Sequence, residues 1–323
     1  MSAQGQSAGA SPSELGRRLA AGDRTAAPAA LNLIEARGHA SAVQTAELLS
    51  ELSPTKLGGE APGRLIGVTG PPGAGKSTLM SELIATWRER GQTVAVLAVD
   101  PSSKRSGGAL LGDRARMRLE PGDDGALIRS TATATRLGGL APSTRESALA
   151  LLSAFDLVVV ETVGVGQSET DIAELADTVV VVVQPASGDV LQFLKAGVME
   201  VPDILVVTKA DLGPLALRAQ RDLKAALGAL GESTPVLAVA SLPPAQGIAE
   251  LADAITAHAD SVDVHVRRAG ARRLAALAAF ISEHGEKGLR KLGGRRTAVK
   301  LLAEQDSQLG THSLLSVLEA AAN

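Results

Sequence analysis

The sequence predicts a doubly wound α/β domain with a mostly parallel sheet, flanked by helical extensions on its N- and C-terminal sides. From Arg64 onward, short aliphatic runs alternate with helical stretches, which is the element order of successive βαβ units. Several runs are apolar at consecutive positions, as expected for strands that a parallel sheet buries on both faces. The runs are "RLIGVTG", "TVAVLAV", "ALIRS", "DLVVVET", "TVVVVV", "DILVVT" and "TPVLAVA". We expect this domain to occupy residues 61–262.

The chain before this domain divides into a polar start and a helical segment. Residues 1–12 are small and polar, and we expect them to be disordered. Leu15 and Leu19 are then spaced to share one helix face. "GDR" at 22–24 marks a break between the first two helices. The glycine-rich "SPTKLGGEAPG" is typical of a linker, so we assign 13–60 to an N-terminal helical segment and linker.

The chain after Val266 is again helical in pattern. "RLAALAAFISEH" is amphipathic and "GLRKLGGRR" is basic. The basic residues are typical of a solvated helix face rather than of a binding patch. Residues 263–323 are therefore predicted to form a C-terminal helical extension.

The composition excludes several functional classes. The net charge is -3, and aromatic residues make up 1% with no Tyr, so we expect no nucleic-acid partner. The absence of Cys excludes disulfides, thiolate zinc sites and cysteine nucleophiles. The start "MSAQGQSAGASPSELG" lacks the basic and apolar regions of a signal peptide. The longest apolar runs are too short to span a bilayer, and we expect a cytoplasmic protein without a membrane partner.

The segment "GPPGAGKS" matches the phosphate-loop pattern G-x-x-x-x-G-K-[ST]. It follows a predicted strand and opens a predicted helix, which is the context that the pattern requires. Its glycines let backbone N–H groups converge on a phosphate, and the helix N-terminus adds positive charge there. Lys76 would bind β/γ-phosphate oxygens and Ser77 would ligate Mg²⁺. The candidate nucleotide-binding residues are Gly70, Pro71, Pro72, Gly73, Ala74, Gly75, Lys76 and Ser77.

Three acidic residues are candidates for the shell of Mg²⁺ and the attacking water, because they end predicted strands or lie in the loops that follow. Asp100 ends "VAVLAVD", Asp113 ends the loop after it, and Glu161 ends "FDLVVVE". Glu161 has the stronger pattern, since Gly164 lies three residues on and its N–H could bind the γ-phosphate. Each acid could instead be a helix cap or a solvated loop carboxylate.

The segment "VTKAD" favours guanine as the base. Asp211 would accept two hydrogen bonds from guanine N1–H and the exocyclic amine, a donor pair that adenine lacks. Lys209 would lay its stem along the base. Thr208 stands where this motif usually has Asn. In "ASLPPAQGI", Ser241 and Leu242 are placed to close the base pocket from the far side.

Together these segments resemble the MeaB/ArgK-type P-loop GTPases, the G-protein chaperones of adenosylcobalamin-dependent methylmalonyl-CoA mutase. The resemblance extends closely from Gly22 to Leu212 and loosely over the helical end, and "DPSS" with "ETVGVGQSE" makes it specific. It is carried by "GPPGAGKST", "VLAVDPSS", "GGALLGDRARM", "LGGLAPSTRE", "ETVGVGQSE", "PASGDVLQFLKAG" and "TKADLG". It implies a P-loop NTPase fold, a G domain of the SIMIBI type. It also implies slow GTP hydrolysis that gates cofactor delivery and protects the mutase, in a homodimer held by helical extensions.

The resemblance also implies residue roles. Thr78 joins Lys76 and Ser77 in holding phosphate and metal, and residues 162–169 form a second switch. Asp100, Asp113 and Glu161 belong to the Mg²⁺ and water shell. The loop that contains Asp189 and Lys195 resembles a third switch, and Arg116 is either a charge stabiliser or a surface arginine. The chain departs from the family pattern at Thr208, and at Val190 and Ala196, where polar residues are common.

Three other functions compete with this reading. A P-loop small-molecule or protein kinase or ATPase, in line with an older label for arginine and ornithine transport kinases, would need a catalytic base and an arginine-rich lid. Lys104 and Arg105 in "DPSSKRSGG" could supply the lid. A nickel-inserting metallochaperone would need Cys/His clusters. The chain has no Cys, and its histidines are scattered: His39, His258, His265, His284 and His312. A purely structural role would leave the phosphate loop unexplained.

Overall fold

The computed structural model describes residues 10–36, 38–100, 117, 122–132, 140–162, 167–185, 202–229 and 231–322, with backbone alone at 100, 132 and 167–169. Its centre is a seven-stranded sheet in the order β3-β2-β4-β1-β5-β6-β7, in which every pair of neighbouring strands is parallel. The strands are β1 Arg64–Thr69, β2 Val94–Asp100, β3 Ala126–Ala132, β4 Leu157–Thr162, β5 Thr178–Val183, β6 Ile204–Val207 and β7 Val236–Ala238. The predicted α/β class with a parallel sheet is confirmed.

Helices cover both faces of the sheet and form both flanks. The described helices are α1 Pro12–Ala20, α2 Ala27–Glu35, α3 His39–Glu51, α4 Pro54–Leu57, α5 Lys76–Glu89, α6 Pro142–Leu151, α7 Gln167–Leu175, α8 Pro214–Ala229, α9 Ile248–Ser261, α10 Val264–Lys291, α11 Arg295–Ala303 and α12 Thr311–Ala322. Within the described ranges, none of these helices combines the length and the hydropathy that crossing a bilayer requires.

Alternate residues of the strands belong to two separate apolar clusters. Val158 and Val160 of β4 pack in one cluster with the N-terminal helices and α6, whereas Val159 packs in the other with α5 and α9. Both faces of the sheet are therefore buried, which is why these strands are apolar at consecutive positions. Trp87 of α5 lies in the second cluster and is fully buried.

The N-terminal helices are part of the core on one face of the sheet. Helix α1 begins at Pro12, with the Ser11 hydroxyl accepting a hydrogen bond from the Glu14 N–H at 3.2 Å. Leu15 and Leu19, which the pattern placed on one face, are both buried. The predicted linker contains the short helix α4, which ends at Gly58 in the left-handed conformation.

The C-terminal helices form a third cluster of their own around Phe280, Leu302 and Leu318. Helix α10 connects this cluster to the sheet. Near the start of α10, Arg268 is 3% exposed and its Nε donates to Asp177 at 3.0 Å, just before β5. One turn later, a bidentate contact joins Arg272 to Glu60 at 2.9 and 2.7 Å. Two buried arginines thus bind α10 to the α/β domain and to the linker that precedes it.

Candidate nucleotide-binding site

The backbone of the loop that follows β1 curves tightly and forms a concave surface. Gly70 has φ 144°, and a Cβ atom there would lie 2.1 Å from the Val182 carbonyl oxygen on neighbouring β5. Gly73 and Gly75 have φ 78° and 89°, and Gly75 is the N-cap of α5. Only glycine combines this close approach with these dihedrals. The loop and the α5 N-terminus therefore form a backbone cradle that suits a phosphate.

Lys76 places its ammonium group over this loop. The residue is 7% exposed. Its Nζ donates to the carbonyl oxygens of Gly70 at 2.7 Å and Pro71 at 3.1 Å. The ammonium group is therefore held against the backbone of the loop.

Oxygen ligands meet beside the loop at the carboxyl ends of the strands. Ser77 Oγ lies 3.4 Å from Glu161 Oε1, and Glu161 is 3% exposed at the end of β4. The Thr162 hydroxyl donates to Thr69 Oγ1 at 2.9 Å, which braces β4 against β1. A hydroxyl next to a carboxylate at this position could hold Mg²⁺, which prefers oxygen ligands.

Asp100 ends β2 at the same edge of the sheet. Its neighbour two residues back, Ala98, is in register with Glu161 of β4. The backbone thus brings Asp100 near the Ser77–Glu161 pair. The other predicted phosphate-side and switch residues lie outside the described part of the chain: Asp113, Arg116, Gly164, residues 163–166, Asp189 and Lys195, as do Lys104, Arg105, Val190 and Ala196.

The predicted base-recognition segment follows β6 and contacts the loop. The Thr208 hydroxyl lies 2.6 Å from the Ala74 carbonyl oxygen and 3.1 Å from that of Val183. Thr208 is 2% exposed, so its hydroxyl interacts with these backbone carbonyls and not with solvent. Lys209 has φ 55°, and its Nζ lies 3.3 Å from the Gly73 carbonyl oxygen. Asp211 is exposed in a 3-10 turn beyond it.

The segment after β7 lies next to this one. The Ala210 N–H donates to the Val239 carbonyl at 2.9 Å, which joins the two segments. Ser241 has a buried Oγ that has no hydrogen-bond partner among the described residues. Leu242 is 63% exposed. The structure therefore brings both predicted pocket-closing residues to the edge that carries Thr208–Asp211.

Sequence reasoning missed one contact in this region. Gln184 follows β5, and its Oε1 accepts a hydrogen bond from Lys209 Nζ. Gln184 begins the segment "QPASGDVLQFLK", which was predicted only to resemble a third switch, and no contact with Lys209 was predicted for it. The signal that could have revealed the contact is the sheet order, because β5 and β6 are neighbours and their following residues meet.

Residues 27–288 match the family described as Methylmalonyl Co-A mutase-associated GTPase MeaB. The chain belongs to the MeaB family. A putative GTPase of Caulobacter vibrioides is 43% identical over 264 residues, 80% of each chain. A mouse relative described as methylmalonic aciduria type A homolog, mitochondrial, is 45% identical over 157 residues, 48% of this chain and 38% of that protein. A solved structure described as LAO/AO transport system kinase has TM-score 0.65 and 27% identity, and the match covers 99% of both chains.

This MeaB-family chain is therefore a GTPase that binds a guanine nucleotide. The carboxyl edge of its sheet carries the loop, Lys76, Glu161 and the Thr208–Asp211 segment.

Proposed function

We propose that this GTPase is a nucleotide-gated chaperone that loads and protects an adenosylcobalamin-dependent acyl-CoA mutase, methylmalonyl-CoA mutase in the first instance. Membership of a family described as mutase-associated carries the proposal. The proximity of Ser77 and Glu161 supports it, since that pair could sense whether a γ-phosphate is present. Loss of the γ-phosphate would release the switch loops, which would transmit the nucleotide state to the mutase.

On this proposal the phosphate end is held by the loop. Gly73, Ala74, Gly75, Lys76, Ser77 and Thr78 would bind the phosphates through backbone N–H groups, the ammonium and two hydroxyls. Gly70, Pro71 and Pro72, of which the prolines have no N–H to donate, would shape the loop around the phosphates. Ser77, Asp100, Asp113 and Glu161 form the Mg²⁺ and water shell. When bound, Mg²⁺ would neutralise charge on the β- and γ-phosphate oxygens. Gly164 would donate its N–H to the γ-phosphate, and Arg116 would stabilise charge in the transition state.

The base end would select guanine through Asp211. Its carboxylate is exposed and could accept hydrogen bonds from both guanine donors. Thr208 would support selection indirectly, by fixing Ala74 and the loop, while Lys209 packs along the base. Ser241 would offer its buried hydroxyl and Leu242 its exposed side chain to the far side of the base.

The remaining parts of the proposal concern communication and assembly. Residues 162–169 act as the second switch and the loop with Asp189 and Lys195 as the third, which contacts the mutase. The C-terminal helices, 263–323, would hold a homodimer. Sedimentation of the full chain at several concentrations tests this, and a concentration-independent monomer would contradict it.

Calorimetric titration of GDP and ADP with Mg²⁺ tests the nucleotide preference. We expect the wild type to bind GDP at least a hundredfold more tightly than ADP, because two charge-assisted hydrogen bonds contribute about 1.5–3 kcal/mol each. Asp211→Asn should lose most of that preference. Asp222→Asn, at an exposed aspartate of α8, is the matched control and should retain it. Equal affinity of the wild type for ADP would contradict guanine selection.

A second assay tests the chaperone role separately. The purified protein and a methylmalonyl-CoA mutase are mixed, and transfer of adenosylcobalamin to the mutase is followed by its absorption spectrum with GTP or GDP. We expect transfer to depend on which nucleotide is bound, and Lys76→Ala to remove that dependence. Transfer that is identical with GTP, GDP and no nucleotide would refute the gating role even if GDP binds tightly.

A small-molecule kinase or ATPase is the second candidate. The similarity in fold to a structure described as LAO/AO transport system kinase supports this candidate. This candidate predicts that ADP binds at least as tightly as GDP, so the calorimetric titration separates the two functions.

A further inference from the structure

A cavity of about 310 Å³ lies away from the nucleotide site, where three parts of the chain meet. Its walls come from α3 and α4 of the N-terminal segment, from α6 of the α/β domain and from the segment that starts α12. The apolar part of the lining is formed by Leu49, Leu52, Leu149, Leu152 and Leu309. This volume is at the lower end of the range for small-molecule sites, and the apolar walls are typical of such sites.

The start of α12 gives part of the cavity wall a positive polarity. Thr311, His312 and Ser313, the first turn of α12, line it. The first N–H groups of a helix have no intrahelical partners and carry partial positive charge. Lys56 also lines the cavity, and within the described ranges its ammonium makes no ion pair or hydrogen bond. His312 adds a donor, and burial lowers the pKa of its imidazole, which favours the neutral form.

Two buried arginines also line the cavity, and each is paired with a carboxylate, Arg268 with Asp177 and Arg272 with Glu60. Arg272 lines the cavity and its side chain is 7% exposed. Its terminal nitrogens are used by Glu60 and by the Ser307 carbonyl at 2.7 Å, but its Nε has no hydrogen-bond partner among the described residues. Because Glu60, the acidic residue of the lining, is already paired with Arg272, the charge left at the cavity is positive.

We propose that this cavity binds a small organic carboxylate with a branched aliphatic body. The carboxylate would lie at the first turn of α12 beside Lys56, and the aliphatic body would lie against the leucines of α3 and α6. Such a ligand would connect the N-terminal segment, the α/β domain and the C-terminal helices, which share this cavity. The site is separate from the nucleotide site and does not depend on the function proposed for it.

Saturation-transfer NMR and calorimetry on the full chain, with 4-methylpentanoate as the probe, test this. The neutral amide 4-methylpentanamide has the same body without the charge. We expect the acid to bind and the amide to bind at least fivefold more weakly. Lys56→Gln should weaken binding of the acid about threefold, the size of one exposed charge contact, and leave the amide unchanged. Lys224→Gln, at an exposed lysine of α8 outside the cavity, should change neither.

Leu149→Trp should fill the cavity and abolish binding of both compounds, and unchanged GDP affinity would show that this variant is folded. Three results would overturn the proposal: no binding of the acid at 10 mM, the same affinity for acid and amide, or binding that survives Leu149→Trp in a variant that still binds GDP. Lys56 is on the surface, so the charge test stands even if Leu149→Trp does not fold.

Discussion

At the scale of single residues, Thr208 joins the end of β6 to the phosphate loop. Its buried hydroxyl lies 2.6 Å from the Ala74 carbonyl oxygen. Thr208→Val keeps the shape and removes the donor, so a buried carbonyl loses its partner. We expect the free energy of unfolding to fall by about 1–3 kcal/mol, measured by urea unfolding, with weaker GDP binding.

Thr208→Ser is the matched control, because it keeps the hydroxyl and removes one methyl group. It should lose less stability than Thr208→Val and retain GDP affinity. If Thr208→Ser is destabilised and Thr208→Val is not, packing of the methyl group and not the hydrogen bond explains the role of Thr208.

Glu146 is a second residue with a measurable consequence. It lies on α6, and burial raises the pKa of its carboxyl from 4.5 to about 7. The folded state therefore holds the proton more strongly than the unfolded state, and stability falls as pH rises from about 4.5 to 7. Glu146→Gln removes this penalty, and we expect its stabilisation to be about 2 kcal/mol greater at pH 8 than at pH 5.

Urea unfolding of both proteins at the two pH values measures this difference. Glu232→Gln, at an exposed glutamate, should change the free energy of unfolding by the same small amount at both pH values. If the advantage of Glu146→Gln is independent of pH, the carboxyl titrates normally and the burial argument fails.

At the scale of elements, α10 contains two glycines whose replacement should have opposite effects. Gly270 is helical and a Cβ there would meet nothing within 4 Å, so Gly270→Ala should stabilise by about 0.5–1 kcal/mol. Gly285 has φ 58° and ψ −164° at the kink, a region essentially confined to glycine. Gly285→Ala should destabilise by about 1–3 kcal/mol, although the site is equally open.

Thermal unfolding of the two single variants is the measurement. A Cβ atom would meet no other atom within 4 Å at either site. The opposite signs of the two stability changes would therefore reflect the backbone conformation alone. A stabilising Gly285→Ala would mean that α10 runs straight through residue 285 in solution.

At the scale of the whole molecule, a buried ion pair connects the C-terminal helices to the sheet. Arg268 and Asp177 are 3% and 0% exposed, and Asp177 also accepts the Leu65 N–H at 2.8 Å from β1. Arg268→Met leaves a buried carboxylate without its partner, and we expect a loss of about 3–5 kcal/mol. Adding Asp177→Asn removes the unpaired charge and should recover part of this loss.

Chemical unfolding of both single variants and the double variant gives the coupling energy. Arg218→Met, which breaks an exposed pair on α8 with side chains 80% and 61% exposed, should change stability by less than about 0.5 kcal/mol. Additive effects of Arg268→Met and Asp177→Asn would show that the pair does not join the two parts of the molecule energetically.

The parts of the fold that follow from short stretches could be predicted from the sequence. All seven strands were recognisable, and burial on both faces leaves the central ones as apolar runs such as "TVVVVV". The start of α5 at Lys76 follows from the glycines before it. The C-terminal cluster around Phe280 was predicted only as helices, because amphipathic periodicity does not say which helix packs against which.

By itself, the sequence determined the α/β class, the phosphate loop and the family, because each depends on the order and spacing of residues along the chain. Only the tertiary structure decided the contacts between Thr208 and Ala74, Lys209 and Gln184, and Arg268 and Asp177. The same holds for the cavity beside α12. These features join residues distant in the chain, and the order in which strands pair within the sheet is set by packing of the whole core.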